Sequence, residues 1–124
     1  MKEKVLIVGG DSKIAKFLIK DLKKNFHIIS TTRRKKTISR NKIFLDLVKL
    51  KSFVLPKNIN YAVILAGIDG HKKCSENYKH SYLINSVIIP KLIKKLILNK
   101  IFVCFVNTSA VFTNSSRLPK EYAK

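Results

Sequence analysis

Apolar residues fall into short unbroken runs separated by polar, lysine-rich stretches. KVLIV (4–8) is the first run and reads as a buried strand. Over 12–24, Ile14, Phe17, Leu18 and Leu22 recur at spacings of three and four, which predicts a helix, and Ser12 is placed to cap it. HIIST (27–31) and KIFLDL (42–47) read as a second and a third strand. YAVILAG (61–67) is a fourth, after the turn-like PKNIN. Residues 75–98 predict one long helix with Tyr78, Tyr82, Leu83, Ile89, Leu92, Ile93 and Leu96 on its inner side and a bend at Pro90. KIFVCFVNT (100–108) is the fifth strand.

Continuous apolar strands, without alternation, belong to a sheet covered on both faces. Strand and helix alternate, which gives right-handed βαβ units and a parallel sheet. The class is therefore α/β: a Rossmann-like, doubly wound sheet of about five strands in three α/β/α layers, with residues 1–124 as one unit. Ligands of such sheets bind beyond the carboxyl ends of the strands. The candidate positions are Gly9 to Ser12, Thr31 to Arg34, Asp46, Ala66 to Gly70, and Asn107 to Ala110.

The chain has 124 residues, of which 46% are hydrophobic, a globular composition with room for a modest core. No apolar run is long enough to span a membrane; IIPKLIKKLIL is broken by lysines. MKEKVLIVGGD lacks the features of a signal peptide, so a cytoplasmic protein is expected. Cys104, inside IFVCFV, reads as a small buried hydrophobe, and Cys74 as a free thiol in a polar loop. Neither cysteine has a second ligand at metal spacing. His27, His71 and His80 carry no ligand pattern.

Charge stands out: 26 Lys and Arg face 7 Asp and Glu, a formal net of +19. Such a chain attracts polyanions. The lysines are spread along the whole chain, as a biased composition or a diffuse surface field would leave them. Nucleic acid is expected only as a non-specific partner.

The sharpest chemical candidate is the turn after strand 1, Gly9-Gly10-Asp11-Ser12-Lys13-Ile14-Ala15. A phosphate turn needs backbone N–H groups at a helix N-terminus with no side chain in the way. Two glycines directly after the strand supply permissive backbone, and the helix begins at once. A G-x-x-G-x-x-G pattern would put glycine at 9, 12 and 15, where the chain has Gly9, Ser12 and Ala15. Alanine still allows close packing. Serine either offers its hydroxyl to a phosphate or crowds it, so this turn alone leaves open a cofactor site or a bare strand-to-helix turn. After strand 2 comes Thr31-Thr32-Arg33-Arg34-Lys35-Lys36. No acid stands there for a ribose 2′-hydroxyl, and arginine suits a 2′-phosphate. That favours NADP, with NAD possible; a basic solvated loop is the plainer alternative.

With these residues in view, the chain resembles the extended short-chain dehydrogenase/reductase superfamily on its sugar-nucleotide side: epimerases, dehydratases and dTDP-4-dehydrorhamnose reductases. VLIVGGDSKIAKFL is similar to that family's glycine-rich opening, and TTRR to the strand 2 end of its NADP-using members. FLDL resembles the segment whose acid meets adenine, here Asp46 with Leu47. AVILAG resembles the strand 4 end, with Ala66 and Gly67 along the cofactor. HSYLINSVIIPKLIKKL places Asn85 at the family's helix asparagine, and FVNTSAVF resembles the strand that bears its catalytic hydroxyl.

The resemblance implies Thr108 as that hydroxyl, with Ser109 as the neighbouring alternative. RLPKEYAK resembles the approach to the family's Y-x-x-x-K pair and implies Tyr122 as the catalytic tyrosine. A phenol near its ordinary pKa of about 10 is a poor base at neutral pH; a nearby cation lowers it. The lysine four positions after Tyr122 would fall past Lys124, so the resemblance implies a C-terminally incomplete unit with weak or no turnover. The implied function is an NAD(P)-dependent reductase or epimerase of a nucleotide sugar, with this chain carrying the cofactor-binding part and a homodimer possible. Two other classes compete: a non-catalytic dinucleotide-binding module and a basic polyanion binder. Asp46 and Asn85 also read as an ordinary solvated carboxylate and a helix polar residue.

Overall fold

The computed structural model describes residues 2–66 and 77–106. Strands β1 (Lys4–Val8), β2 (His27–Thr32), β3 (Lys42–Phe44), β4 (Tyr61–Ile64) and β5 (Phe102–Phe105) form one sheet in the order β3-β2-β1-β4-β5, every pair parallel. The order reverses beside β1, which makes the space beyond its end a topological switch point. β1 is central, so Val5 to Val8 are all buried. An uninterrupted apolar run is what a strand covered on both faces requires.

Two helical layers cover the sheet. On one face lies α1 (Lys13–Leu22), whose Ala15, Leu18, Ile19 and Leu22 pack with Val5, Ile7 and Ile28. On the other face, Leu6, Val8, Ala62 and Ile64 pack with Ile84, Ile88, Ile89, Leu92 and Leu96. Burial of an aliphatic side chain of this size contributes about 1.5–3 kcal/mol, so the second cluster dominates the stability.

The inner stripe of α1 differs from its expected one. Ile14 and Phe17 are 64% and 75% exposed, and the fully buried residue is Ala15. Ala15, Leu18, Ile19 and Leu22 form an i, i+3, i+4, i+7 stripe of their own, one step round the helix. The small Ala15 lets the start of α1 sit close to β1.

The long second helix runs as α2 (Tyr78–Tyr82), a π-helical turn (Leu83–Ile88) and α3 (Ile89–Leu98). Ile89 N–H donates to Ile84 O across five residues. Pro90 follows at once. A proline has no N–H to give the carbonyl four residues back, and its ring collides with that carbonyl in a regular helix. The widened turn in front of it relieves both, so the expected bend takes the form of a π turn. The extra residue also turns α2 about its axis. Tyr78, Tyr82 and Leu83 are exposed, contrary to the inner face expected for them, and Ser81 and Ile84 are the buried residues. Ile89, Leu92 and Leu96, beyond the turn, keep their expected inward positions.

Strands end earlier than their apolar runs. β3 stops at Phe44 and β4 at Ile64, and the residues that follow, Leu45 to Leu47 and Leu65 to Ala66, line the sheet's carboxyl edge. β5 is the edge beside β4, and no described residue covers its α1-side face. Cys104 is accordingly exposed, not buried as its apolar neighbours suggest, and Phe102 is 70% exposed. Among the described residues no helix is long and apolar enough to cross a membrane.

Candidate functional site

A cavity of about 480 Å³ opens beyond the carboxyl ends of β1, β2 and β4, within the usual size range of small-molecule sites. Its floor is the turn after β1. Gly9 adopts φ +93°, a left-handed backbone, and a Cβ there would stand 2.7 Å from Ala66 N. Glycine is thus needed both for the conformation and for the approach of the β4 end. Gly10 is needed for a different contact: its Cβ would meet the Ser30 side chain at 2.6 Å.

Both glycine amides are engaged by β2. Gly9 N–H donates to Thr31 Oγ1 (2.9 Å) and Gly10 N–H to Thr31 O (2.8 Å). The glycines therefore tie the turn to the sheet, and the donors for an anion come from the start of α1. Ser12 caps that helix, its Oγ accepting from Ala15 N–H at 3.1 Å. A capping hydroxyl still has its own proton to donate. Ser12, Lys13 and Ile14 open the helix, so its first N–H groups could take an anion.

The second wall is the β2 end. Thr31 and Thr32 are buried, and Arg33 and Arg34 are exposed at the rim. The Thr32 hydroxyl donates to Asp11 Oδ2 at 2.6 Å and accepts from Arg34 N–H at 2.9 Å. Lys42 Nζ, from β3, meets Asp11 Oδ1 at 3.0 Å. Partial burial pushes the Asp11 carboxyl up. The Thr32 hydrogen bond, the Lys42 hydrogen bond and charge, and the Arg34 charge outweigh it and hold the group below its ordinary value. A carboxylate from the first turn thus stands at the end of β2, where the strand 2 sequence has no acid. Asp46 closes the third side and caps the next 3-10 turn, its Oδ1 accepting from Val48 N–H at 3.2 Å.

Of the residues expected at a cofactor, Gly9, Asp11, Ser12, Arg33, Arg34, Asp46, Leu47 and Ala66 line this one cavity. Gly10, Lys13 and Ile14 lie on the same turn but do not line it, and Ile14 points to solvent. Asn85 is half-buried within the π turn, and the residues that line the cavity from this helix are His80 and Ile84. Gly67, Thr108 and Tyr122 lie outside the described residues, as do Cys74, His71 and Ser109. Thr32 falls within the candidate stretch Thr31 to Arg34, whereas Lys42, His80 and Ile84 carry no site signal in the sequence. The Thr32 and Lys42 links to Asp11 cross from one βα unit to another, and His80 and Ile84 depend on the helix register set by the π turn. Among the described residues no cluster of His, Cys, Asp and Glu could hold a metal ion.

No protein-family model matches the chain, and no curated protein matches it in sequence. Solved structures do match. A UDP-N-acetylglucosamine 4-epimerase from Methanobrevibacter ruminantium, solved with UDP-N-acetylmuramic acid, superposes with a TM-score of 0.72 at 18% identity, over 100% of this chain and 44% of that one. Pen from Bacillus thuringiensis gives 0.70 at 22% identity, over 89% and 38%. WbmF from Bordetella bronchiseptica, solved with NAD+, gives 0.65 at 19% identity, over 84% and 36%. This chain spans less than half the length of each. These structures are of the kind the sequence resembles, and the likeness is one of fold: the chain is built as the Rossmann-like α/β unit that UDP-sugar epimerases and the NAD+-bound WbmF also contain.

Proposed function

We propose that this chain is the dinucleotide-binding part of an NAD(P)-dependent enzyme that reduces or epimerises a nucleotide sugar. The observation that carries the reading is the convergence of the Gly9 turn, the Thr32–Arg34 corner and Asp46 on one cavity at the switch point of the sheet. The residues fit the group. The opening of α1, with Ser12 as its cap, suits a pyrophosphate; Asp11, Arg33 and Arg34 stand where the adenosine ribose belongs in such sheets; Asp46 and Leu47 flank the adenine side.

The nicotinamide, when bound, supplies or accepts the hydride. Thr108 would hydrogen-bond the reacting oxygen of the sugar and Tyr122 would move its proton; both roles rest on the sequence resemblance. Nucleotide-sugar recognition is supported by the fold likeness to enzymes solved with UDP-sugars. Leu45 and Leu65 at the strand ends and Ile84 of the π turn add an apolar part to the cavity lining.

The test is calorimetric titration of the 124-residue chain with NADH and with NADPH. Micromolar binding of either, abolished by Gly9→Val, is the expected result. Binding of neither by a folded chain would sink the reading.

A further inference from the structure

The first turn carries an acid that neither an anion cradle nor a 2′-phosphate pocket calls for. Asp11 follows the two glycines, and its side chain reaches across to the end of β2. There it meets the Thr32 hydroxyl on one oxygen and Lys42 on the other, and its side chain is 28% exposed, at the cavity wall. Thr32 in turn fixes the Arg34 amide, and the Thr37 hydroxyl donates to Arg34 O at 2.8 Å. The carboxylate and the two arginines thus share one corner, whose contacts come from four elements.

We infer that Asp11 is a specificity-determining residue of this corner: its carboxylate accepts the 2′-hydroxyl of the adenosine ribose and opposes a 2′-phosphate that Arg33 and Arg34 would otherwise favour. The inference rests on the dinucleotide reading. A ribose hydroxyl needs an acceptor, and a carboxylate is the strongest acceptor this corner holds. A phosphate needs donors and cations, and beside Asp11 it meets a like charge. Lys42 sets how strongly the acid acts. It neutralises part of the Asp11 charge, so the balance between the two nucleotides is a property of the Asp11–Lys42 pair and not of the arginines alone. The sequence around Arg33 therefore overstates the preference for the phosphorylated cofactor.

The experiment is titration of the wild-type chain, Asp11→Asn, Lys42→Gln and the double variant with NADH and NADPH, at one salt concentration. Asparagine keeps the shape and one acceptor and removes the charge. A charge-assisted hydrogen bond exceeds a neutral one by enough to move an affinity about tenfold. Asp11→Asn is expected to shift the NADPH-to-NADH affinity ratio about tenfold or more toward NADPH. Lys42→Gln is expected to shift it toward NADH in the wild-type background and much less in the Asp11→Asn background, because its effect runs through the acid. If Asp11 only braces the turn, Asp11→Asn weakens both nucleotides equally; an unchanged ratio overturns the inference and leaves the dinucleotide reading standing. Binding of neither nucleotide by the folded wild type overturns both. Asp11→Ser, which also removes the charge and suits a turn, gives the same ratio test should circular dichroism show the asparagine variant unfolded.

Discussion

At the scale of single residues, two positions in the first turn do different work from their neighbours. Gly9 is required by its backbone and by contact at once: φ +93° and a 2.7 Å approach to the backbone of Ala66. A side chain there must strain the turn or push β4 away. Gly9→Ala is expected to cost about 1–3 kcal/mol from the backbone conformation alone, with the β4 clash added. Urea unfolding of the variant measures the loss, and nucleotide affinity should fall with it. Asp11 makes the second residue-scale prediction. Its folded-state pKa lies below the ordinary carboxylate value of 3.8. A lowered pKa stabilises the fold at pH values above the unfolded one, and that contribution is lost as pH falls through the folded value. The melting temperature of the wild type should therefore drop more steeply below about pH 4 than that of Asp11→Asn. Identical slopes for the two proteins would show that the Thr32 and Lys42 contacts do not stabilise the charged form.

At the scale of elements, the end of α3 carries a cost that can be removed. Lys100 takes φ +60° just past the helix, while Lys100 N–H bonds Ile97 O and Ile101 N–H bonds Leu96 O. This pair of bonds is the Schellman arrangement, whose left-handed position usually holds glycine. Buried Ile101 then joins the same core cluster as Leu96, at the junction of the helix and β5. Lys100→Gly removes the left-handed penalty of a side chain and is expected to stabilise the fold by about 0.5–1 kcal/mol, read as a higher urea midpoint. The π turn shows the opposite case. Pro90 signals a disturbance in the sequence, but a kink and a π turn share that signal. Only the packing of Ile84 and Ile88 against the sheet selects the second. That choice moves Tyr78 and Tyr82 outward and brings His80 and Ile84 to the cavity.

At the scale of the whole molecule, two surface properties follow from the chain. The net charge of +19 is spread over both helical layers and the loops, with Lys2, Lys16, Lys20, Lys23 and Lys42 around a groove beside α1. A diffuse positive field binds any polyanion, and counterion release makes that binding strongly salt-dependent. Retention on heparin or duplex DNA is expected at low salt, with no sequence preference, and should be lost between about 50 and 200 mM salt. Persistence at the higher salt would favour a built nucleic-acid site. The second property is apolar. Ile14 and Phe17 on α1 and Phe102 on β5 are exposed on the same side of the sheet as Tyr61 and Phe26, whose rings pack edge to face. Large apolar side chains left exposed on one side of a sheet favour association. Sedimentation should show concentration-dependent self-association of the chain that Phe17→Lys with Phe102→Lys reduces, while the melting temperature stays within a few degrees.

The succession of strands, the parallel sheet and the position of the first turn were legible from the amino-acid sequence because they depend on local periodicity and on a glycine pair after an apolar run. Each is set by residues within a few positions of one another. Arg33, Asp46 and Ala66 could be placed at one edge on the same ground, since every parallel strand delivers its last residue there. The contacts among the side chains at that edge could not be read in the same way. Asp11 meets Thr32 and Lys42 only because β1, β2 and β3 lie side by side, and the meaning of the arginines changes with that neighbour. The exposure of Cys104 and Phe102 likewise depends on what stands over β5, and the inner faces of α1 and α2 depend on where a helix settles against a sheet. Hydrophobic patterning selects which elements form; contacts between elements distant in sequence assign each side chain its neighbours, and so its charge environment and chemistry.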